Sequence, residues 1–332
     1  MRPSLFAAVA GDDVAKLRNH VLVVSGGLGL GAYQAGAYQR MQEDGQLPHW
    51  IAGSSVGAVN GALIVGSAKE DRVETLRVFW SAGDLWFRTL PFPGYLGHAQ
   101  NWFSVVHTRL FGASGHFRPR MPSLGPFRSL YDLAPMKERL AGLVDFARLN
   151  SGEMRFSVAT TDIETGELVI FDNTKGDKIS IDHILASCGF LPEFAPVEVD
   201  GRLLGDGGLS ANAPIEAVAN EASDSTVFVI DLFARDGERP RSLEDALARK
   251  NDILFANQTM QRLELVAAAG QVGQLVYLSY RPSEEDAGPE KTFDLSRRTI
   301  SDRWAAGAAD MESALERVQQ AGPLPPILVV RR

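Results

Sequence analysis

Two uncharged, glycine-rich turns lie near the start of the chain, and one of them contains a serine at a position suited to acyl transfer. This turn, residues 53–57, has the pattern G-x-S-x-G with Ser55 at its centre. A sharp strand-to-helix turn exposes the hydroxyl of such a serine, and the N–H of Val56 would face an oxygen that becomes negative. Glycines are expected at 53 and 57 because a side chain at Gly53 or Gly57 would collide with the neighbouring strand or helix. The alternative interpretation is a packed turn with a buried serine.

The other turn, residues 25–31, reads Ser-Gly-Gly-Leu-Gly-Leu-Gly. It fits the dinucleotide fingerprint G-x-G-x-x-G/A, which also needs an acidic residue at the end of the following strand. No carboxylate is found there, so the sequence disfavours a dinucleotide site. The competing interpretation makes the N–H groups of Gly26 and Gly27 donors to the same oxygen that Val56 faces.

Both turns lie between a predicted strand and a predicted helix. The apolar run 21–24 precedes the first turn, and a proline-free segment rich in small residues, 31–41, follows it. Residues 50–52 and 58–65 repeat this arrangement around the second turn. Two such units in succession predict parallel strands whose turns share one edge of a sheet. The N–H groups at both helix starts would then point at one site.

A serine nucleophile also needs a base, because the free hydroxyl reacts poorly. None of the six histidines has a compelling local signature, and a Ser…Asp…His order would require His183. A better candidate is Asp206, which is followed by Gly207 and Gly208 after the strand-like residues 197–204. A D-G-G turn alone is common, so this assignment depends on the other two motifs.

Taken together, the three motifs resemble the patatin-like phospholipase family. The first block of that family reads G-G-G-x-R-G and is similar to residues 25–36, and its G-x-S-x-G elbow is similar to residues 53–62. Its D-G-G block, preceded by an A-S pair and a proline, is similar to residues 184–214. The similarity covers about residues 20–235.

This resemblance implies a fold, a mechanism and a substrate class. The fold is a three-layer α/β/α sandwich around a mainly parallel sheet, with an aromatic-rich insertion. Ser55 and Asp206 form a dyad in which the aspartate takes the serine proton without a histidine. The oxyanion hole consists of backbone N–H groups from the following residues: Gly26, Gly27, Leu28 and Val56. The substrate is a lipid or another acyl ester, and neither a cofactor nor a metal is implied.

The sequence departs from the family pattern at two positions. Leu28 replaces the third glycine, and Leu30 stands where many members carry arginine or lysine. A backbone donor survives the first change, whereas the second removes a positive charge near the site. The alternative function is therefore a weakly active or inactive relative that binds fatty acid or acyl thioester in the same pocket.

The chain is expected to have three parts. Residues 1–20 form an N-terminal segment without the features of a signal peptide, residues 21–235 the catalytic domain, and residues 236–332 a C-terminal helical extension packed on the same core. Within the catalytic domain, residues 79–131 are rich in aromatic residues, proline and arginine. We interpret them as a lid or an acyl-chain pocket; a plain helical cap and a subunit interface are the alternatives.

Local patterns predict further elements. They are a hairpin over 155–171, a helix over 214–221, a buried strand over 226–232, a long helix over 242–269 with Ser242 as N-cap, a strand over 275–280 and a closing helix over 296–320.

Composition limits the classes of function. The chain has 332 residues and a net charge of −8, which argues against nucleic-acid binding. The single cysteine, Cys188, excludes an internal disulfide and suits a reducing compartment. The uncharged stretches 21–39 and 45–68 are interrupted by glycine and polar residues, which disfavours a membrane span. We therefore expect a cytoplasmic protein, with peripheral contact of the aromatic insertion at the inner face of the membrane as a further expectation. The sequence does not indicate an oligomeric state.

Overall fold

The computed structural model describes residues 19–81, 97–120, 129–282, 291–320 and 325–330. The strands in these ranges are β1 (His20–Val24), β2 (Pro48–Ser54), β3 (Arg118–Pro119), β4 (Tyr131–Asp132), β5 (Arg155–Asp162), β6 (Leu168–Asp172), β7 (Val197–Val199), β8 (Arg202–Asp206), β9 (Ala222–Asp231), β10 (Val272–Ser279) and β11 (Ile327–Val330). The helices are α1 (Ala32–Glu43), α2 (Val56–Val65), α3 (Arg72–Ser81), α4 (Gly97–Phe111), α5 (Ala134–Leu143), α6 (Phe146–Leu149), α7 (Ile181–Ser187), α8 (Leu243–Ala268) and α9 (Arg297–Gln319).

Within the described ranges, nine strands form one mixed sheet in the order β11-β10-β9-β1-β2-β5-β8-β7, with β6 also paired to β5. The six strands from β11 to β5 are parallel to their neighbours. At the β5 end, β6, β7 and β8 pair antiparallel. The expected mainly parallel α/β/α sandwich is confirmed.

Helices cover both faces of the sheet, and the side chains of β1 alternate between two cores. Leu22 and Val24 belong to the core that contains residues of α1, α2 and α9. Val21 and Val23 belong to the core on the opposite face, together with Leu263 of α8. Strands buried on both faces explain why the sequence shows continuous apolar runs without alternation.

The two predicted strand–turn–helix units are confirmed, since β1 and β2 are parallel neighbours followed by helical turns at the same edge. The predicted hairpin is also confirmed, as β5 pairs antiparallel with β6. Ser242 and Ser296 are the N-caps of α8 and α9, and each hydroxyl accepts a backbone N–H.

The helix predicted over 214–221 is wrong. Only a short 3₁₀ turn forms at Ile215–Ala217. Asn220 has a positive φ of 67°, and its N–H donates to the Gln271 carbonyl at 2.8 Å. A left-handed residue bonded to a distant segment ends the helical hydrogen-bond pattern.

The C-terminal part of the chain joins the sheet. β10 lies between β9 and β11, and β11 is a strand that the sequence reasoning did not identify. Helix α9 packs against α1 at two glycines. A Cβ on Gly307 would overlap the Tyr33 carbonyl oxygen, and a Cβ on Gly36 would overlap that of Trp304. The backbones of the two helices are therefore in direct contact.

The predicted insertion 79–131 is described only in part, because residues 82–96 and 121–128 lie outside the described ranges. Its described part contains the end of α3, helix α4 and strand β3. No helix in the described ranges has both the length and the apolar composition to cross a bilayer. The domain limits expected from the sequence remain predictions.

The contact between α1 and α9 generates a stability prediction. We expect Gly307→Ala to lower the free energy of unfolding by about 1–3 kcal/mol, because the added methyl group forces two helix backbones apart. The matched control is Gly142→Ala, also within a helix, where a Cβ would meet nothing within 4 Å; it should be neutral or stabilise by up to about 1 kcal/mol. Urea unfolding measures both, and equal effects would contradict the tight crossing.

Candidate active site

Ser55 occupies a strained turn between β2 and α2. Its backbone has φ 55° and ψ −126°, a region that non-glycine residues rarely adopt. A Cβ on Gly53 would lie 2.5 Å from the Gly57 carbonyl carbon, and a Cβ on Gly57 would overlap the Val24 carbonyl oxygen. These two close approaches require glycine on both sides of the serine, as the sequence predicted.

Neighbouring strands hold the backbone of Ser55 in this conformation. Its N–H donates to the Ser187 hydroxyl at 2.8 Å. That hydroxyl in turn donates to the Ala159 carbonyl on β5 at 2.6 Å. Since Ser187 is fully buried, this chain of hydrogen bonds fixes the turn against the sheet.

Asp206 lies at the end of β8, and its carboxylate is close enough to the Ser55 hydroxyl to interact with it. The carboxylate Oδ1 also accepts the Gly208 N–H at 2.7 Å. Burial raises the pKa of Asp206 to about 7, while the nearby Ser55 hydroxyl and the Gly208 N–H lower it. The group is therefore poised between its charged and neutral forms near neutral pH.

The tight turn after Asp206 depends on both glycines that follow it. A Cβ on Gly207 would lie 2.5 Å from the Ala159 carbonyl oxygen, and one on Gly208 would lie 3.0 Å from the Asp206 Oδ1. Side chains at these positions would displace the carboxylate from Ser55.

The first glycine-rich turn lies directly beside Ser55, and a Cβ on Gly26 would come within 2.9 Å of the Ser55 Cβ. The N–H of Gly26, however, donates to the Asn212 carbonyl at 3.1 Å. The prediction that Gly26 supplies an oxyanion donor therefore does not match this geometry, because that proton is already engaged.

The N–H groups of Gly27, Leu28 and Val56 remain as candidate donors beside the serine. Leu28 and Val56 are the first residues of a 3₁₀ turn and of α2, where a backbone N–H has no intrahelical acceptor. Leu28 has a positive φ of 49°. This is a left-handed conformation, which glycine adopts more readily than leucine.

Leu30 is fully buried in the core and does not line the cavity beside Ser55. The neighbouring carbonyl, that of Gly29, accepts a hydrogen bond from Arg303 of α9 at 3.0 Å. Arg303 is fully buried and also donates to the carbonyls of Asp294 at 2.9 Å and Lys291 at 2.8 Å. A guanidinium from the C-terminal part of the chain is thus bound to the first turn.

Ser55 and Asp206 open into a cavity of about 610 Å³. Its wall is largely apolar and includes Phe79, Trp80, Val105, Leu133, Met136, Phe190, Phe194, Phe233, Phe255 and Phe293. Arg109 of α4 and Lys250 of α8 add positive charge to the lining. A volume and a wall of this kind suit an apolar chain with a polar group at one end.

His183, the alternative base, caps helix α7. Its Nδ1 hydrogen-bonds to the backbone N–H of Ser180 at 3.1 Å and to the Ser180 hydroxyl at 2.8 Å. Its ring packs edge-on against Phe171, and it does not line the cavity. The structure therefore does not bring His183 together with Ser55.

Cys188 is buried and lines the cavity. Burial, and secondarily the charge of Asp206, raise the pKa of its thiol. A protonated thiol is a weak nucleophile, so Cys188 acts as a small apolar residue here.

Sequence reasoning missed three residues that shape this site: Ser187, Asn212 and Arg303. The first two lie within the blocks that resemble the family, but nothing in their types indicated which backbone group they would bind. Arg303 lies far along the chain, on a helix whose sequence gave no sign of contact with the first turn.

Comparison with known families places these motifs in a wider context. The profile of patatin-like phospholipases matches residues 22–219, and a second profile, described as patatin phospholipase, matches residues 223–326. A search of curated proteins gives no match.

Among solved structures, VipD from Legionella pneumophila is similar with a TM-score of 0.44 and 15% identity, over 90% of this chain and 67% of VipD. ExoU from the type III secretion system of Pseudomonas aeruginosa, in complex with SpcU, gives a TM-score of 0.41 and 14% identity, over 92% of this chain and 53% of ExoU. The chain thus spans about two thirds of VipD and about half of ExoU.

The buried carboxyl of Asp206 predicts how stability depends on pH. Because its pKa is about 7 in the folded protein against 3.8 for the free group, the folded state binds the extra proton between these values. The contribution of Asp206 to the free energy of unfolding is therefore largest below about pH 4. As the pH rises from there through 7, this contribution is lost, and the free energy of unfolding falls by up to about 4 kcal/mol.

Asp206→Asn removes this contribution. We expect the variant to be more stable than the wild type at pH 8 and to differ less at pH 5, as measured by urea unfolding at both pH values. Burial also raises the pKa of Asp231 to about 6, so this residue lowers stability with rising pH in the same direction. Because Asp231 is present in both the wild type and the variant, its effect cancels in the comparison. A wild-type-to-variant difference that does not change with pH would contradict the raised pKa of Asp206.

Proposed function

Because the chain belongs to the patatin-like phospholipase family and is thus a lipid acyl hydrolase, we propose that Ser55 is its nucleophile and Asp206 the base. The observation that carries this proposal is the interaction of the Ser55 hydroxyl with the buried Asp206 carboxylate. Both residues line the same apolar cavity. The substrate class that this site supports is a carboxylic ester of a lipid.

In the proposed reaction, the charged Asp206 accepts the proton of Ser55 as the serine oxygen bonds to the ester carbonyl carbon. The resulting tetrahedral intermediate collapses when the bond to the alcohol oxygen breaks, and the proton passes from Asp206 to the leaving alcohol. Water then attacks the acyl-serine and gives its proton to the same carboxylate. Release of the fatty acid restores the Ser55 hydroxyl.

Backbone N–H groups would stabilise the negative oxygen of each intermediate. Val56 and Leu28 are the best-placed donors, with Gly27 beside them, because a residue that starts a helical turn has a free N–H. A well-aimed donor of this type lowers the barrier by roughly 3–4 kcal/mol. Gly26 contributes shape, since a side chain at this position would collide with Asn212 and Ser55.

The buried position of Leu30 argues against the alternative of an inactive lipid-binding relative. That alternative rests on the loss of a basic residue at this position. Leu30 faces the core, so this position does not supply a charge to the cavity. A basic side chain, that of Arg303, still binds the adjacent Gly29 carbonyl.

Peripheral membrane contact is the second part of the proposal. Leu110 and Leu247 line the cavity and yet have exposed fractions of 62% and 49%. Exposed apolar residues at the entrance would insert into a lipid surface and let an acyl chain pass into the cavity. In this case the enzyme hydrolyses esters in lipid vesicles faster than a monomeric soluble ester.

Activity measurements on substituted enzymes check the dyad. Ser55→Ala should reduce ester hydrolysis by at least about 1,000-fold and abolish labelling by a fluorophosphonate. Asp206→Asn should reduce kcat/KM by roughly 100-fold or more. The control His183→Ala, which alters a histidine outside the cavity, should stay within a few-fold of the wild type.

The proposed role of Asp206 as the base also predicts how the activity of the wild type changes with pH. Because only the charged carboxylate accepts a proton, kcat/KM should rise with pH through about 7 and then level off. A short-chain p-nitrophenyl ester and phospholipid vesicles serve as substrates. Labelling that persists in Ser55→Ala, or a profile that is flat between pH 5 and 8, would assign the chemistry to other residues.

The contact of Arg303 with the first turn predicts a second effect. Arg303→Met removes the guanidinium donor from three buried carbonyls, so the amides of this turn should shift and kcat should fall by roughly 10-fold to 100-fold. The matched control is Arg298→Met on the same helix, whose side chain is 47% exposed. Stopped assays far below the melting temperature separate the loss in kcat from unfolding. An unchanged kcat in Arg303→Met would show that Arg303 does not position the amides of the first turn.

A further inference from the structure

Helix α8, in the C-terminal part of the chain, contacts the backbone segment that follows Asp206. The contact is made by Gln258, a half-buried residue of this helix. Its Oε1 accepts the backbone N–H of Asn212 at 2.7 Å. Its side-chain nitrogen donates to the Gly208 carbonyl at 3.5 Å. One side chain of α8 thus binds the segment after Asp206 at two points.

Asn212 connects Gln258 to the first glycine-rich turn. The Asn212 carbonyl accepts the Gly26 N–H at 3.1 Å, and the Asn212 side-chain nitrogen lies 3.5 Å from the Gly26 carbonyl oxygen. Asn212 is 3% exposed and lines the cavity. A displacement of Asn212 would therefore move Gly26, and with it the neighbouring N–H groups that are the candidate oxyanion donors.

The second contact of Gln258 lies close to the carboxylate of the site. Gly208 donates its N–H to Asp206 Oδ1 at 2.7 Å, and its carbonyl is the group that accepts from Gln258. A hydrogen bond of 3.5 Å is weaker than one of 2.7 Å. The bond to Asn212 is therefore the main contact, and the bond to Gly208 is an addition to it.

The charged side chains beside Gln258 bind other groups. Arg262, one turn further along α8, donates to the Ser210 carbonyl at 2.6 Å and forms an ion pair with Glu216. It also donates to the Gln258 backbone carbonyl at 3.3 Å. Within the part of the chain that the structure describes, Oε1 of Gln258 is the acceptor of the Asn212 N–H. Loss of this acceptor would leave a backbone donor of a buried residue unsatisfied.

We propose that Gln258 is a positioning residue for ester hydrolysis, which holds Asn212 so that the first turn keeps its amides directed at the oxyanion. The inference rests on the proposed function, because it assumes that these amides stabilise the intermediate. Gln258 does not line the cavity, so its effect is on kcat and not on KM. It lies in the segment matched by the second family profile, whereas Ser55 and Asp206 lie in the first.

The test replaces Gln258 with two residues of similar length. Gln258→Met removes the acceptor of the Asn212 N–H, whereas Gln258→Glu keeps a carboxylate oxygen for it. For a short-chain p-nitrophenyl ester, kcat should fall by roughly 10-fold to 100-fold in Gln258→Met, with KM within about 2-fold of the wild type. In Gln258→Glu, kcat should stay within about 5-fold of the wild type. Assays at about pH 9, above the pKa of Asp206 of about 7, keep this carboxylate charged in every variant.

The matched control is Gln261→Met. Gln261 lies on the same helix, is exposed and does not line the cavity, so this change should leave kcat and KM at their wild-type values. Urea unfolding shows that each variant is folded at the assay temperature. Gln258→Leu, which also lacks the acceptor, takes the place of Gln258→Met if that variant folds poorly.

Amide hydrogen exchange gives a measurement that does not depend on hydrolysis. In Gln258→Met, the amides of Asn212 and Gly26 should exchange at least about 10-fold faster than in the wild type, and in Gln258→Glu at about the wild-type rate. Unchanged exchange in Gln258→Met would overturn the inference whatever the activity.

The kinetic outcomes separate the inference from the proposed function. An unchanged kcat in Gln258→Met, or equal losses of kcat in the methionine and glutamate variants, would overturn the positioning role. A loss that appears in KM alone would overturn it too. Full hydrolysis by Ser55→Ala would instead refute the proposed function, and amide exchange would then decide whether Gln258 holds the first turn.

Discussion

The contact between the two glycine-rich turns is the constraint on which the site depends. Gly57 approaches the carbonyl of Val24 so closely that no Cβ fits, and Gly26 approaches Ser55 in the same way. Close backbone contacts therefore help to hold the serine backbone and the amides of the first turn in place relative to each other. Such contact cannot relax by a change of rotamer, so the groups that would stabilise a transition state are fixed before substrate arrives.

A network of buried polar side chains stabilises the first glycine-rich turn in this contact. The Gln34 amide donates to the Ser25 carbonyl at 2.8 Å, and the Asn60 amide donates to the Gly31 carbonyl at 2.9 Å and to Gln34 at 3.0 Å. Trp80 donates to Asn60 and also lines the cavity. Both ends of the first turn are thus connected to Trp80 in the cavity wall, and each of these three polar side chains has a hydrogen-bond partner.

The sequence predicted those features that depend on local chemistry. The strand–turn–helix units, the serine at the second turn and the cap at Ser242 follow from short patterns, and the structure places Ser55 and Asp206 in the wall of one cavity. It could not predict that Gly26 would give its N–H to Asn212, because that bond joins segments nearly two hundred residues apart. The same holds for Arg303, and for β11, whose short apolar run is a strand only because β10 pairs with it. In each case a long-range contact decided the outcome, and no local pattern encodes it.

The close crossing of α1 and α9 has a consequence for how this chain changes over time. The helix that meets α1 at Gly307 also carries Arg303 to the first turn, so the segments matched by the two family profiles are in direct contact at this crossing. A larger residue at position 36 or 307 moves α9, and with it the guanidinium that binds Gly29. A larger side chain on one of these helices would therefore need a compensating change in the other, which couples substitutions in the two segments.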